Sequence, residues 1–317
     1  VRGEGMTELL LITHPDCALH DPVPGHPERP GRLQAVLDGL YQLDSFESVC
    51  AMAATRKQLL RVHQPAYVDH LEHIDLQARE TQRTISLDAD THAGPGSVQT
   101  ARLAAGAACQ AVEGCIEHPE HPAFAVVRPP GHHAESGRAM GFCLFNSIAA
   151  AAEQALANPA IRRVAICDFD VHHGNGTEAI FAGRRDVLFA SSHQLPLYPG
   201  TGDPNRKVAS NIFNAGLPPG SGSDEFRVAW QARLFDPIDR FAPDLVLVSA
   251  GFDAHWRDPL AQLNLKDEDF FWIGHQLKTL ADTHARGRVA ASLEGGYDLH
   301  ALTESALAFA EGLTLAH

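Results

Sequence analysis

Six short apolar runs recur along this chain, each followed by a polar, glycine-bearing segment, and they limit the possible folds more than any other feature. They read LLLIT (9–13), AFAVV (123–127), RVAIC (163–167), VLFAS (187–191), DLVLVSA (244–250) and RVAASL (288–293). Runs this short, apolar throughout rather than alternating, predict strands buried on both faces. Between them lie segments of helical period: RLQAVLDGLYQL, SVQTARLAAGAACQAVEGCI and FRVAWQARLFDPIDRFA. Buried strands separated by helices predict an α/β fold, a mostly parallel sheet with helices on both faces. No low-complexity linker or internal repeat interrupts the pattern, so residues 6–317 are expected to form a single domain. At 317 residues and 44% hydrophobic, the chain can supply a core of that size. The residues VRGEG ahead of Met6 look like an expression scar.

Several functions are disfavoured at once. Apolar stretches such as LVLVSA (245–250) and SIAAAAEQALA (147–157) fall short of the roughly 20 residues that cross a bilayer, so no membrane span is expected. With no secretory signal pattern after Met6, the expected location is cytoplasmic. Six scattered cysteines without a C-x-x-C pair are read as buried free thiols. A formal charge of -14 argues against nucleic acid as a direct partner and, more weakly, suits cationic substrates.

In parallel sheets ligands bind beyond the carboxyl ends of the strands. Here AFAVV leads into RPPGHHAESGRAMGF, RVAIC into DFDVHHGNG, VLFAS into SHQLPLYPGTGD, LVLVSA into GFDAHWRDP, and RVAASL into EGGYD. One His or Asp in a loop is an ordinary solvated group. Five such segments at one sheet edge describe an active site. In an extended segment Asp168, Asp170 and His172 share parity, so carboxylate oxygens and an imidazole nitrogen can converge on one divalent ion. Asp253, at the end of another strand, is the candidate ligand from elsewhere in the chain. An Asp, His, Asp set leaves a position open, as in catalytic rather than structural zinc sites. The bridging carboxylates expected of a two-metal site are missing from this spacing. A proton acceptor is then needed for metal-activated water, and the adjacent His132 and His133 on a Gly- and Pro-bounded turn are suited to that role. Asp168 or Asn175 could fix the tautomer of either ring. Tyr297, after Gly295 and Gly296, could donate to a developing oxyanion.

RPPGHHA (128–134), GFCLFN (141–146), DFDVHHGNGT (168–177), PGTGD (199–203), SAGFDAH (249–255) and LEGGYD (293–298), with HPERPGR (26–32), resemble the zinc-dependent histone deacetylase family. The chain is most similar to its class II and bacterial amidohydrolase-like members, over roughly residues 14–300. That resemblance implies the arginase/deacetylase fold, with a central sheet of about eight strands. It implies one zinc ion per chain on Asp170, His172 and Asp253, with His133 as general base, His132 as its electrostatic and proton-transfer partner, and Tyr297 polarising the amide carbonyl. Phe142 and Tyr198 then resemble the walls of an acyl-lysine tunnel, Asp168 and Ser191 a structural potassium site, and Arg32 the lining of an acetate channel. Where polyamine-specific relatives carry an acidic gatekeeper this chain has Leu260, which fits an uncharged acyl-lysine stem. The expected reaction is hydrolysis of the acyl amide of an acyl-lysine peptide or protein. A small acylated amine such as an acetylpolyamine is the alternative substrate, and a non-catalytic acyl-lysine binder is a third reading. Neither oligomeric state nor physiological substrate follows from the sequence.

Overall fold

The structure, a computed structural model, describes residues 7–21 and 23–315; the five residues read as an expression scar lie outside these. In chain order the strands are β1 (Leu9–Thr13), β2 (Phe46–Cys50), β3 (Ile85–Ser86), β4 (His92–Ala93), β5 (Ala123–Ala125), β6 (Val164–Asp168), β7 (Val187–Gln194), β8 (Ile212–Leu217), β9 (Leu245–Ala250) and β10 (Val289–Leu293). The helices are α1 (Gly31–Leu40), α2 (Arg56–Leu59), α3 (Pro65–Thr81), α4 (Ser97–Glu117), α5 (Ser147–Leu156), α6 (Asn175–Phe181), α7 (Ser223–Ala229), α8 (Phe235–Phe241), α9 (Asp267–His284) and α10 (Leu299–Thr314). Eight strands form one sheet in the order β2-β1-β5-β10-β9-β6-β7-β8, every neighbouring pair parallel. β3 and β4 make a separate two-stranded antiparallel hairpin.

All six predicted runs are strands of the large sheet. Its remaining two members, β2 and β8, are the edge strands, whose sequences FESVC and IFNAGL carry polar residues because one side of each meets solvent. A continuous-apolar criterion therefore finds the centre of the sheet and passes over its rims.

The two faces are covered by different helices. Leu10 and Leu11 are successive residues of β1 and point oppositely. Leu10 reaches α4, where a Cβ on Gly114 would collide with its side chain. Phe124 pairs in register with Leu11 and meets Phe309 of α10 at 5.7 Å between ring centres. So α4 lies on one face, with α5 packed against it, and α10 on the other, with α9 and α1. One continuous hydrophobic cluster runs through both layers.

The segment read as a single helix over 226–242 is interrupted. Between α7 and α8, residues Trp230–Leu234 form a π turn in which the Phe235 N–H bonds to the Trp230 carbonyl. Pro237 accounts for it: its ring has no N–H and would clash with the carbonyl four residues earlier, and a widened turn relieves the conflict. Five of the six cysteines are buried thiols as expected, but Cys50 is exposed on the edge strand β2.

Candidate active site

The carboxyl ends of β5, β6, β9 and β10 bring the sequence-predicted residues to one place. β6 ends at Asp168, and the next residues turn out of the sheet, so Asp170 and His172 leave the line of the strand. Asp170, His172 and Asp253, all buried, present donor atoms within 4.8 Å of one another. His172 Nδ1 stands 3.2 Å from Asp170 Oδ1 and 3.0 Å from Asp253 Oδ2.

Backbone donors also hold the carboxylates. Asp170 Oδ1 accepts the His172 N–H and Oδ2 the Gly295 N–H, at 2.9 and 2.8 Å, while Asp253 Oδ1 accepts the Val171 N–H at 2.9 Å. Glycine is required beside them: a Cβ on Gly295 would strike both the Asp253 and Asp170 carboxylates, and one on Gly251 would strike Asp170. Burial disfavours a charged imidazole at His172, yet the two carboxylates outweigh it and raise its pKa to about 10. The cluster thus holds positive charge strongly. Two oxygens and one nitrogen at this spacing fit a divalent ion of the zinc type.

Asp168 does not join the set. Its Oδ2 accepts the Nδ1–H of His132 at 3.0 Å and its Oδ1 the N–H of Asp170 at 3.1 Å. Ser191 lies opposite it in register on β7, inside the strand rather than at its end, and bonds to His193 Nδ1 at 3.0 Å.

The adjacent histidines differ electrostatically. Burial would lower the pKa of His132, but Asp168 and Asp170 raise it to about 10. Burial depresses His133 well below the usual imidazole value, and the neighbouring His132 and His172 push it the same way. Its Nδ1–H donates to Asn175 Oδ1 at 2.8 Å, which leaves Nε2 as a free acceptor. Asn175 is itself fixed by Glu135 Oε1 at 3.2 Å.

These groups open onto a cavity of about 210 Å³ lined by His132, His133, His172 and Tyr297, with Phe142, Tyr198, Leu197 and Leu260 as its apolar walls. The Tyr198 ring meets that of His133 edge-on at 5.3 Å, and the Phe142 ring meets that of Tyr297 at 6.0 Å. Phe142 has a positive φ of 68° and follows Gly141, where a Cβ would overlap the His133 ring. The GF pair is what lets an aromatic wall sit this close to the histidines. Burial keeps the Tyr297 phenol protonated, and so a donor.

Arg32 is absent from the cavity lining. It lies behind Tyr297, its guanidinium carbon 4.9 Å from the ring centre. It donates to the Gly296 and Glu294 carbonyls and to Glu28 Oε1, at 2.6, 2.5 and 2.9 Å.

Four residues that sequence reasoning missed help build the site. Glu28 bridges Arg32 and Arg128. Glu294 accepts the Gly131 and His132 N–H groups at 2.6 and 3.1 Å and so fixes the turn that carries the histidine pair. Asp90, from the β3–β4 hairpin, adds a carboxylate to the cavity lining. Asp258 accepts backbone N–H groups from Tyr297 and Leu260. For Glu28 and Arg32 the signal was present: opposite charges four residues apart at the start of a helix.

Comparison with known proteins supplies a family context. The family profile of the histone deacetylase domain matches residues 26–313. A probable deacetylase of Methanothermobacter thermautotrophicus is 40% identical over 313 residues, covering 96% of this chain and 90% of that protein. A histone deacetylase-like amidohydrolase of Pseudomonas aeruginosa is 38% identical over 285 residues, covering 86% of this chain and 73% of that protein. Among solved structures, the HDA15 HD domain superposes with a TM-score of 0.87 at 32% identity, covering 97% of this chain and 90% of that one.

Proposed function

From the premise that the chain belongs to the histone deacetylase family and is a hydrolase of amide bonds, we propose that it cleaves the acyl amide of N-ε-acyl-lysine. The observation that carries this reading is the opening of His133, His172 and Tyr297 onto one cavity with apolar walls, with Asp170 and Asp253 beside His172. A zinc ion, one per chain, is assigned to Asp170, His172 and Asp253; its contribution when bound is Lewis acidity toward a carbonyl oxygen and toward water.

The chain's own residues do the rest. Phe142 and Tyr198 sandwich the methylene stem of the acyl-lysine, and Leu260 borders it at the mouth. Tyr297 donates its hydroxyl proton in a hydrogen bond to the carbonyl oxygen as that oxygen gains negative charge. His133, neutral and with Nε2 free, accepts a proton from the attacking water. Asn175 holds its ring in the tautomer that allows this. His132, charged and paired with Asp168, steadies the developing charges, and the proton that His133 accepted is passed through the histidine pair to the departing amine. The C–N bond breaks, leaving a carboxylate and a protonated amine. Asp168 and Ser191 are assigned to a structural potassium ion, and Arg32 to the exit route of the carboxylate product.

Asp90 favours a second substrate class. A carboxylate in the cavity lining would attract the distal ammonium of an acetylated polyamine, which Leu260 alone does not. Turnover by the purified, zinc-loaded protein on a panel of acetyl-lysine, trifluoroacetyl-lysine and longer acyl-lysine peptides and acetylated polyamines separates the two. The expected order places acetyl-lysine peptides above polyamines. No hydrolysis of any acyl amide, with zinc bound, would refute the enzymatic reading and revive a non-catalytic acyl-lysine binder.

A further inference from the structure

The mechanism leaves a buried carboxylate beside the cavity, Asp258, unused. Asp258 lies in the loop after β9, buried while Trp256, Arg257 and Pro259 around it are exposed. Its Oδ2 accepts the Tyr297 N–H at 2.7 Å and its Oδ1 accepts the Leu260 N–H at 2.9 Å. Both donors belong to residues that line the cavity, one from the loop after β10 and the other from the loop after β9. One side chain therefore ties two walls of the cavity together.

Three other polar backbone groups of the Tyr297 loop are held from elsewhere. Arg32 takes the carbonyls of Glu294 and Gly296, and Asp170 takes the N–H of Gly295. Tyr297 itself lies between Gly296, which sits at a φ of 120° open only to glycine, and Asp298, the N-cap of α10. The bond to Asp258 ties the backbone between them to the loop after β9.

We propose that Asp258 is a positioning residue, whose two carboxylate oxygens lock the Tyr297 loop to the Leu260 loop and so fix the oxyanion donor relative to the tunnel mouth. The inference rests on the acyl-amide hydrolase reading in taking the Tyr297 hydroxyl as that donor. A carboxylate is needed because two N–H donors from separate loops require two acceptors on one side chain. An amide offers one acceptor and one NH₂, and would leave one backbone N–H facing another donor.

The test combines Asp258→Asn with Tyr297→Phe in the zinc-loaded protein. Asp258→Asn alone should lower kcat on an acetyl-lysine peptide by about 10- to 10²-fold with KM within about twofold, the size expected of a displaced catalytic group. In the Tyr297→Phe background the same change should cost less than about twofold more, because no hydroxyl remains to be misplaced. Hydrogen exchange of the metal-free protein gives a readout independent of activity: amides of residues 293–298 should exchange faster in Asp258→Asn, with the β6 and β9 amides unchanged. Asp258→Ser, which also cannot hold both donors, serves where the Asn variant folds poorly. Equal kcat losses in both backgrounds, an unchanged kcat, or unchanged exchange at 293–298 in a folded variant each overturn the proposal. Faster exchange in the variant of a protein that hydrolyses no acyl amide supports the lock and refutes the hydrolase reading instead.

Discussion

At the scale of single residues, Tyr297 and Asp170 lie within one site yet should fail in different ways. On the proposed mechanism, Tyr297→Phe removes a donor that matters as charge develops on the carbonyl oxygen, so kcat should fall on the order of 10²- to 10³-fold while the zinc content matches that of the parent. On the proposed metal assignment, Asp170→Ala removes a charge-bearing ligand and also the acceptor for the Gly295 N–H, so metal content and activity should fall together. Elemental analysis beside steady-state kinetics distinguishes them, and a Tyr297→Phe enzyme of near-normal kcat would remove the tyrosine from the chemistry. The residues legible in the sequence were those whose chemistry shows in their type and spacing: the D-x-D-x-H segment, the histidine pair, the tyrosine after two glycines. Glu294, Asp258 and Asp90 were not legible, because a carboxylate that accepts backbone N–H groups has no partner residue whose type or spacing could announce it. Asp168 shows the limit of strand parity. It shares the side of Asp170 in an extended chain, but β6 ends at Asp168, and its carboxylate turns to His132 instead of joining Asp170, His172 and Asp253.

At the scale of elements, the fold was readable wherever burial was complete. Each of the six central strands opens on an unbroken apolar run, whereas the edge strands β2 and β8 mix polar and apolar residues and resemble loops. The π turn before α8 was hidden for a different reason: the apolar period continues across it, and only the missing N–H of Pro237 disturbs the backbone. Close helix packing was equally silent in the sequence. On the outer layer α9 and α10 approach through glycines from both sides, Gly274 against the Phe309 carbonyl and Gly312 against the Phe271 carbonyl, where a Cβ would overlap backbone atoms. Backbone cannot step aside as a side chain can. Gly312→Ala should therefore destabilise the protein by about 1–3 kcal/mol, the usual penalty of overpacking, despite alanine's better helix propensity. Urea midpoints of the two proteins check this, and a variant as stable as the parent would mean that the helices can separate without loss.

For the whole molecule, the N-terminal segment, the β5 loop and the catalytic edge are joined by a charge network that has no access to solvent. Glu28 accepts from both Arg32 and Arg128, Arg128 also donates to the Cys17 and His20 carbonyls, and Arg32 reaches the Tyr297 loop. Burial alone would raise the pKa of Glu28, but the two guanidinium groups bring it from 4.5 to about 2. Burial lowers His20 from 6.5 to about 4, its attraction to Glu28 only partly offsetting this. Both shifts have the same consequence. Between pH 6.5 and 4 the unfolded chain takes up a proton at His20 that the folded one refuses, and between 4.5 and 2 the same holds at Glu28. Wherever the unfolded state binds more protons, stability falls as the pH falls, so the network stabilises fully above pH 6.5 and progressively less below it. Glu28→Gln isolates one part of this. It leaves two buried guanidinium groups without a counter-charge, a loss of about 3–5 kcal/mol for a broken buried pair, and it removes the group that titrates between 4.5 and 2. The gap in unfolding midpoint between parent and variant should be widest above pH 4.5 and narrow as the pH is lowered, since protonation then costs the parent what the substitution has already cost the variant. A gap that stays constant across that range would mean that Glu28 keeps an ordinary carboxylate pKa, and that the arginines are held by their carbonyl acceptors instead.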